Sequence, residues 1–221
     1  MIKTLFTLLL LAVGLPVMGQ FRYCNSFEDY QAARWNDLPI LYKIANSQKK
    51  QMWVGGNDFK FATGDKSTDK KLKKTTFVIE YGDTLYVNLR TLRHDNQRFG
   101  NGYAQGFSFD GDKIVFVSYR IDKDVTKHIV YAGIFFGAVG GAIVGAVEGK
   151  NVLKDRVCYL IDNGGDGKTI DIRIIDDRLM RELLIDDHRD AYLHYMSVSE
   201  KKERESAANV LPILLEIGLA K

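Results

Sequence analysis

The 221-residue chain is poor in the residue types that mark several common functions. It contains four histidines and two cysteines, and two cysteines are too few for a disulfide framework. Its 31 basic residues nearly balance its 28 acidic residues, which leaves a formal net charge of +3. Proteins whose main partner is a nucleic acid present a strongly basic surface, so this balance argues against that class of partner.

Motifs for nucleophilic catalysis and for phosphate binding are also lacking. No GxSxG element is present, and residues 100–102 have neither the spacing nor the lysine of a phosphate-binding loop. His188 and His194 would lie about 240° apart around a regular helix, so they could not share a zinc ion. Asp187 or Asp190 could pair with His194, but no nucleophile accompanies them. We therefore expect no enzyme activity, no cofactor and no metal. A hydrolase that uses His188 or His194 ranks third, after the two functions given at the end of this section.

The loop at 162–167, DNGGDG, is rich in oxygen atoms but does not match a calcium-binding loop. An EF-hand loop needs an acidic or amide ligand at its third position and a glutamate at its twelfth, where this chain has Gly164 and Arg173. Asparagine, aspartate and glycine also tolerate a positive φ angle, so the same sequence is typical of a tight turn. This loop is therefore predicted to connect the two strands of a hairpin.

The one long apolar stretch is 129–149, IVYAGIFFGAVGGAIVGAVEG, which carries no charge up to Val147. Five of its six glycines recur at every fourth position and would line one stripe of a helix, a stripe that lets helices approach closely in a membrane. We expect membrane association or self-association through this glycine zipper, with a packed internal element of a soluble fold as the alternative. The predicted helix-packing residues are Gly133, Gly137, Gly141, Gly145 and Gly149.

The residues around this stretch leave its topology open. Three basic residues precede it and three follow it, so the positive-inside rule assigns no orientation. A single crossing would separate Cys24 from Cys158, whereas a re-entrant or soluble arrangement would leave both in one compartment, where they could form a disulfide. We favour the second arrangement, because the strands that follow the stretch would otherwise lack partners. The flanking basic residues are Arg120, Lys123, Lys127, Lys150, Lys154 and Arg156.

The N-terminus has the pattern of a secretory signal peptide over residues 1–19. A positive start is followed by the apolar residues 5–13, and Val17 and Gly19 place small side chains before a cut ahead of Gln20. The apolar segment is too short to span a membrane comfortably, which argues against an uncleaved anchor. The mature chain is therefore expected in the periplasm or the cell envelope.

Alternating apolar residues predict strands on both sides of the apolar stretch. Two predicted hairpins precede it, at 77–89 with a Gly-Asp turn and at 107–119 with an Asp-Gly turn. A third, at 157–175, follows it, and Asp176 or Asp177 is predicted to cap a leucine-rich helix.

Four further segments have weaker patterns. Residues 27–36 could form an irregular helix, which Pro39 would end. The lysine-rich segment 64–75 is expected to be a solvated loop, because its acidic residues offset part of the lysine charge, with a basic patch for an anionic surface as the alternative. The segment 200–205, EKKERE, is expected to be a solvated charged segment. Residues 210–219 are expected to form a short docking helix or a frayed end.

Several features occur together in this chain: a signal ending before Gln20, the segments FVIEYGDTLYVNLR and FGNGYAQG, the glycine-rich stretch, and YLIDNGGDGKTI before a leucine-rich helix. In this layout, over residues 76–196, the chain resembles exported envelope proteins of unknown function from Bacteroidota. The resemblance implies export, and it brings no catalytic residue because it lies in the layout rather than in a chemical motif.

The expected fold is α+β, a mainly antiparallel sheet from 75–120 and 156–175 with C-terminal helices, interrupted by the glycine-zipper insert. The expected function is that of an exported cell-envelope protein with a structural or interaction role, which associates with a membrane, an envelope component or a second copy through 129–149. The first alternative is a soluble periplasmic binding module. The expected parts are a signal peptide at 1–19, a β-rich part at 20–127, the insert at 128–149, and a hairpin with helices at 150–221.

Overall fold

A computed structural model describes residues 21–46, 57–121, 153–154, 156–164 and 169–221. The predicted signal peptide and the glycine-rich stretch 129–149, with its five packing glycines, lie outside these ranges. His128 and part of the predicted turn at 162–167 also lie outside them. Among the described residues, no helix is both long enough and apolar enough to cross a membrane.

The centre of the fold is a sheet to which ten of the described strands belong. The strands are β1 Phe21–Cys24, β2 Asn36–Leu38, β3 Tyr42–Ala45, β4 Phe59–Ala62, β5 Val78–Tyr81, β6 Thr84–Asn88, β7 Arg93–His94, β8 Gln97–Arg98, β9 Tyr103–Phe109, β10 Lys113–Tyr119, β11 Arg156–Asn163 and β12 Ile170–Ile174. Strands β7 and β8 form a separate two-stranded ribbon. The main path is β12-β11-β10-β9-β6-β5-β1-β2, and the β3–β4 hairpin attaches to β9.

The three predicted hairpins are confirmed as β5–β6, β9–β10 and β11–β12, all antiparallel. Asp110 and Gly111 have φ angles of +50° and +83°, the left-handed region that an Asp-Gly hairpin turn requires. Strand β11 pairs with β10 as predicted, so the strands before and after the glycine-rich stretch belong to one sheet. The α+β fold class with a mainly antiparallel sheet and C-terminal helices is confirmed.

Alternate residues of each strand enter different parts of the core, as the period of two requires. On β10, Ile114 and Phe116 join a cluster on one face of the sheet, whereas Val115 and Val117 join a cluster on the other face. The second face is covered by C-terminal helices at the β11 end and by β3, β4 and a lysine-rich helix at the β1 end. The sheet is therefore buried on both faces.

Six helices are described: α1 Phe27–Gln31, α2 Lys66–Lys74, α3 Asp177–Leu184, α4 Arg189–Ser197, α5 Lys201–Arg204 and α6 Ala207–Glu216. Helix α3 begins where predicted, because the side chain of Asp176 accepts a hydrogen bond from the backbone N–H of Leu179. Helix α6 docks on β11 through buried residues such as Val210 and Leu214, which confirms the predicted docking helix.

The prediction of a solvated loop at 64–75 is wrong, because residues 66–74 form helix α2. The side chain of Asp65 caps the first turn at the backbone N–H of Thr68, and Leu72 is fully buried against the sheet. Asn88 and Tyr103 donate hydrogen bonds to the carbonyl oxygen of Leu72 near the C-terminal end of the helix. One buried apolar residue, its N-cap and two hydrogen bonds from elsewhere in the chain therefore hold a helix that its composition did not reveal.

Two further expectations need correction. The predicted irregular helix at 27–36 ends at Gln31, and Asn36 begins strand β2, whose register with β1 decides the conformation. The segment 200–205 is not wholly solvated, because Arg204 and Glu205 are buried and form ion pairs.

Candidate functional site

The residues between β10 and β11 leave the sheet and return to it at neighbouring positions. Tyr119 and Arg156 form the last register pair of these two strands. Just beyond this pair, the backbone N–H of Ile121 donates to the hydroxyl of Tyr159 at 2.7 Å, and that hydroxyl donates to the carbonyl oxygen of Tyr119 at 3.0 Å. We call this place the junction, defined by Tyr119, Ile121, Arg156 and Tyr159. It holds together the two ends of the segment that contains 129–149.

A buried ion pair anchors the junction to β4. The guanidinium of Arg156, 3% exposed, donates to both carboxylate oxygens of Asp58, 13% exposed, and its Nη2–Oδ1 distance is 2.8 Å. The guanidinium carbon also lies 4.8 Å from the centroid of the Tyr119 ring. Burial works against the charge of Arg156, but the hydrogen bonds and charge of Asp58 outweigh it, and the pKa of Arg156 is raised. Arg156 therefore serves the fold and is not a solvated flanking charge.

A second flanking cation, Arg120, is tied to the C-terminal helices. It donates to Glu205 at 2.5 Å, and the other oxygen of this buried carboxylate accepts from the backbone N–H of Asp177 at 3.2 Å. Arg204 binds both carboxylate oxygens of Asp177, at 2.9 and 2.7 Å. Tyr195 donates to the same carboxylate at 2.7 Å. These contacts fasten the end of β10 to helices α3, α4 and α5.

His188 and His194, the two histidines considered for a hydrolase, both line a groove of about 570 Å³ beside helices α4 and α6. The N-cap of α4 is His188, whose φ of −132° is not helical, so the separation calculated for a regular helix does not hold there. No ion pair joins His194 to Asp187 or Asp190 within the described structure, and no three described side chains are placed to hold a metal ion. The described lining residues are Asp186, Asp187, His188, Arg189, Asp190, Ala191, His194, Ile213, Glu216 and Ile217.

Comparison with known proteins adds one match. A family of unknown function, DUF6563, matches residues 22–221. The chain belongs to this family. No curated protein and no solved structure matches it.

The two cysteines of this DUF6563 chain are both free thiols and both buried. Cys24 packs in the cluster on one face of the sheet and Cys158 in the cluster on the other face, so the disulfide that sequence left open is not formed. Burial raises the pKa of each thiol to about 12. Neither thiol is therefore placed to react in the folded protein.

The remaining candidate residues have structural partners. The Nδ1 atom of His94 lies 2.8 Å from the carbonyl oxygen of Ile172, to which it donates, and so joins the β7–β8 ribbon to β12. The carboxylate of Asp162 lies 3.7 Å from Arg173 and 4.0 Å from Lys113. The loop at 162–167, whose sequence was compared above with a calcium-binding loop, therefore begins at an aspartate that lies near two basic side chains.

Sequence reasoning found the strands on either side of the junction but missed Asp58 and Arg156 as a pair. They are 98 positions apart in the chain, so no local pattern joins them. A buried arginine leaves one signal, which is its position in a strand of otherwise apolar residues, at the head of RVCYLI. That signal predicts a paired charge but does not name the partner.

Proposed function

We propose that the chain is an exported cell-envelope protein with an interaction role, which associates with a membrane or with a second copy through 129–149. The observation that carries the proposal is the junction, where Tyr119 pairs with Arg156. A folded domain that holds together both ends of the segment containing an apolar, glycine-rich stretch is suited to present that stretch to a partner. Because β10 and β11 pair from Ile114↔Ile161 onward, a single crossing would have to pull the two strands apart.

Three further observations support export. Residues 1–19 have a signal-peptide pattern, the family match begins at residue 22, and strand β1 begins at Phe21. The resemblance in layout to exported envelope proteins of Bacteroidota points the same way. Export predicts that the protein recovered from its host begins at Gln20, which intact-mass measurement tests.

The glycine register gives the experiment that tests the role of 129–149. Replacing Gly137 and Gly141 by leucine should weaken self-association or membrane retention, because the new side chains would hold helices apart. Leucine at Val139 and Val144 is the matched control and should change either property much less. Chemical cross-linking measures the first property and carbonate extraction the second. Equal behaviour of the two double variants in both assays would remove the glycine zipper from the proposal.

The groove beside α4 favours a second candidate function, that of a periplasmic binding module for a small molecule. Its volume suits such a ligand, and its apolar residues lie beside acidic and imidazole groups. The described residues that line it include no serine, threonine or cysteine, so a hydrolase at this groove would need a carboxylate or a water molecule as its nucleophile. If the groove is the functional site, alanine at His188 and His194 should abolish the cellular phenotype of the protein without changing its thermal stability. The proposed interaction role expects that phenotype to persist.

A further inference from the structure

The β3–β4 hairpin and helix α2 form a layer with opposite inner and outer sides. Their inner side packs Leu41, Phe59, Phe61 and Leu72 against the sheet. Helix α2 follows β4 closely, because Asp69 accepts hydrogen bonds from the backbone and hydroxyl of Thr63. The outer side has no covering element among the described residues.

An apolar row lies on the outer side of strand β3 and of the residues just before it. Ile40, Tyr42 and Ile44 alternate with inward-facing residues, and their exposed fractions are 51%, 58% and 37%. Alternate positions share one face of a strand, so the three side chains point away from the core together. Ile44 lies directly opposite Lys60 of β4. The apolar row therefore meets a basic residue across the hairpin.

A lysine face continues this surface onto helix α2. Its members are Lys60, Lys66, Lys70, Lys73 and Lys74, all exposed, and none has an ion-pair partner within the described structure. The two acidic residues of the segment are used locally, since Asp65 caps the helix and Asp69 holds Thr63. The lysines outnumber these carboxylates by five to two. The sequence suggested that the two acidic residues offset the lysine charges. In the fold their carboxylates instead accept hydrogen bonds from backbone N–H and hydroxyl groups.

We infer that the apolar row and the lysine face together dock on an anionic lipid surface. Each lysine near such a surface strengthens binding about five-fold, and aromatic residues such as tyrosine favour the headgroup level. The row of apolar side chains beside separate ammonium groups fits a broad anionic surface better than one small anion. The inference rests on the proposed membrane role and names the lipid class that the folded domain contacts.

The position of this surface agrees with that role. Asp58, which pairs with Arg156 at the junction, directly precedes β4. Asn46 follows β3 and donates its backbone N–H to the carbonyl oxygen of Asp58 at 2.8 Å. The end of the hairpin that carries Ile44 therefore lies beside the place where the segment containing 129–149 leaves the sheet.

Vesicle flotation of the chain from Gln20 tests the inference. We expect binding to vesicles of phosphatidylcholine with phosphatidylglycerol to exceed binding to phosphatidylcholine alone, and to weaken in high salt. Lys70→Gln with Lys74→Gln should weaken binding to the anionic vesicles about thirty-fold at low salt, because two charges are removed. Tyr42→Ser with Ile44→Ser should weaken binding to the same vesicles.

Two control variants are matched to these changes. Lys202→Gln with Lys221→Gln removes two exposed lysines elsewhere. Leu193→Ser with Met196→Ser removes two apolar side chains on helix α4 that are 57% and 41% exposed. Both controls should bind anionic vesicles as the unaltered chain does, and circular dichroism should show the same fold for all four variants.

The outcomes separate this inference from the proposed function. Equal binding to both vesicle types, unchanged by the lysine variant, would overturn the inference and leave the membrane role of 129–149 standing. Absence of vesicle binding would also overturn the inference. If the chain binds soluble polyglutamate but no vesicle, the inference is likewise overturned and the surface instead fits an acidic protein partner. Anionic-vesicle binding that the lysine variant loses and the variant with leucine at Gly137 and Gly141 keeps would support it.

Discussion

The buried charged residues of this protein sit where strands and helices are joined. Arg156, Arg204 and Glu205 are each less than one-tenth exposed, and each has an oppositely charged partner. A charge removed from water is costly unless it is paired and hydrogen-bonded. These residues therefore tie particular elements together, and the loss of one partner should cost more than the loss of a surface ion pair.

The Asp58–Arg156 pair gives the first prediction. Replacing Asp58 by alanine should lower the free energy of unfolding by about 3–5 kcal/mol, because the guanidinium would remain buried without its partner. Urea denaturation measures the change. Adding Arg156→Met should restore much of the loss, since the unpaired charge is then removed as well.

The control for this prediction is an exposed pair. Glu28 lies 3.0 Å from Arg34, and its side chain is 83% exposed. Glu28→Ala should change the free energy of unfolding by less than about 1 kcal/mol. A loss at Asp58 no larger than the loss at Glu28 would show that the junction is not held by the ion pair.

The second prediction concerns pH and the carboxylate of Asp177. Its hydrogen bonds from Arg204, and next from Tyr195, hold its pKa below the ordinary value, although burial opposes this. A lowered folded-state pKa stabilises the protein above the unfolded-state pKa, and this stabilisation is lost as pH falls through the folded-state value. The stability difference between the unaltered chain and Asp177→Asn should therefore be largest near neutral pH and shrink in acid. Urea titrations from pH 7 to pH 3 measure it, and a constant difference would contradict the assignment.

At the level of secondary structure, the strands were predicted more accurately than the helices. Apolar runs and turn residues located the strands, whereas composition did not locate helix α2. Short runs of apolar residues located β5, β6, β10, β11 and β12, because a strand buried on both faces is apolar at most of its positions. Helix α2 was missed because Leu72 is its one buried residue. A stripe of one residue has no period to detect, and the contacts that hold this helix come from Asn88 and Tyr103, outside the segment.

The third prediction follows from that single anchor. Leu72→Ala should lower the free energy of unfolding by about 2–5 kcal/mol, because it removes a fully buried side chain and leaves a cavity. Lys70→Ala, on the exposed side of the same helix, should change it by less than about 0.5 kcal/mol. Denaturant unfolding compares the two. Similar small effects would mean that the solvated loop expected from composition describes 64–75 better than the helix does.

At the scale of the whole molecule, the segments before and after 129–149 are parts of one sheet. This arrangement could be predicted, because the hairpin at 157–175 needed a third strand beside it. The pairing of β1 with β5, and the attachment of the β3–β4 hairpin to β9, could not be predicted. Those contacts depend on close approach between backbones. A Cβ atom at Gly102 would lie only 2.8 Å from the carbonyl oxygen of Phe59, and the φ angle of Gly102 is +103°.

The fourth prediction tests the single-sheet arrangement in cells. Asp112→Cys and Lys202→Cys place a thiol at an exposed position before and after the glycine-rich stretch, while the native thiols stay buried. A membrane-impermeant maleimide should label both variants in intact spheroplasts and leave the unaltered chain unlabelled. Labelling of Lys202→Cys only after lysis would mean that the C-terminal part lies across a membrane from the N-terminal part, which the sheet does not allow.

The junction also bears on how freely the segment between its two ends can change in length. Once β10 and β11 hold those ends side by side, the entropy cost of closing a flexible connection between them grows with the logarithm of its length. Adding flexible residues until the number between Ile121 and Leu153 has doubled would therefore cost only about 0.6 kcal/mol. Lengthening the Asp110-Gly111 turn would also lose a connection whose φ angles suit the hairpin. The sheet can thus accept a longer connection between β10 and β11 at little cost in folding free energy.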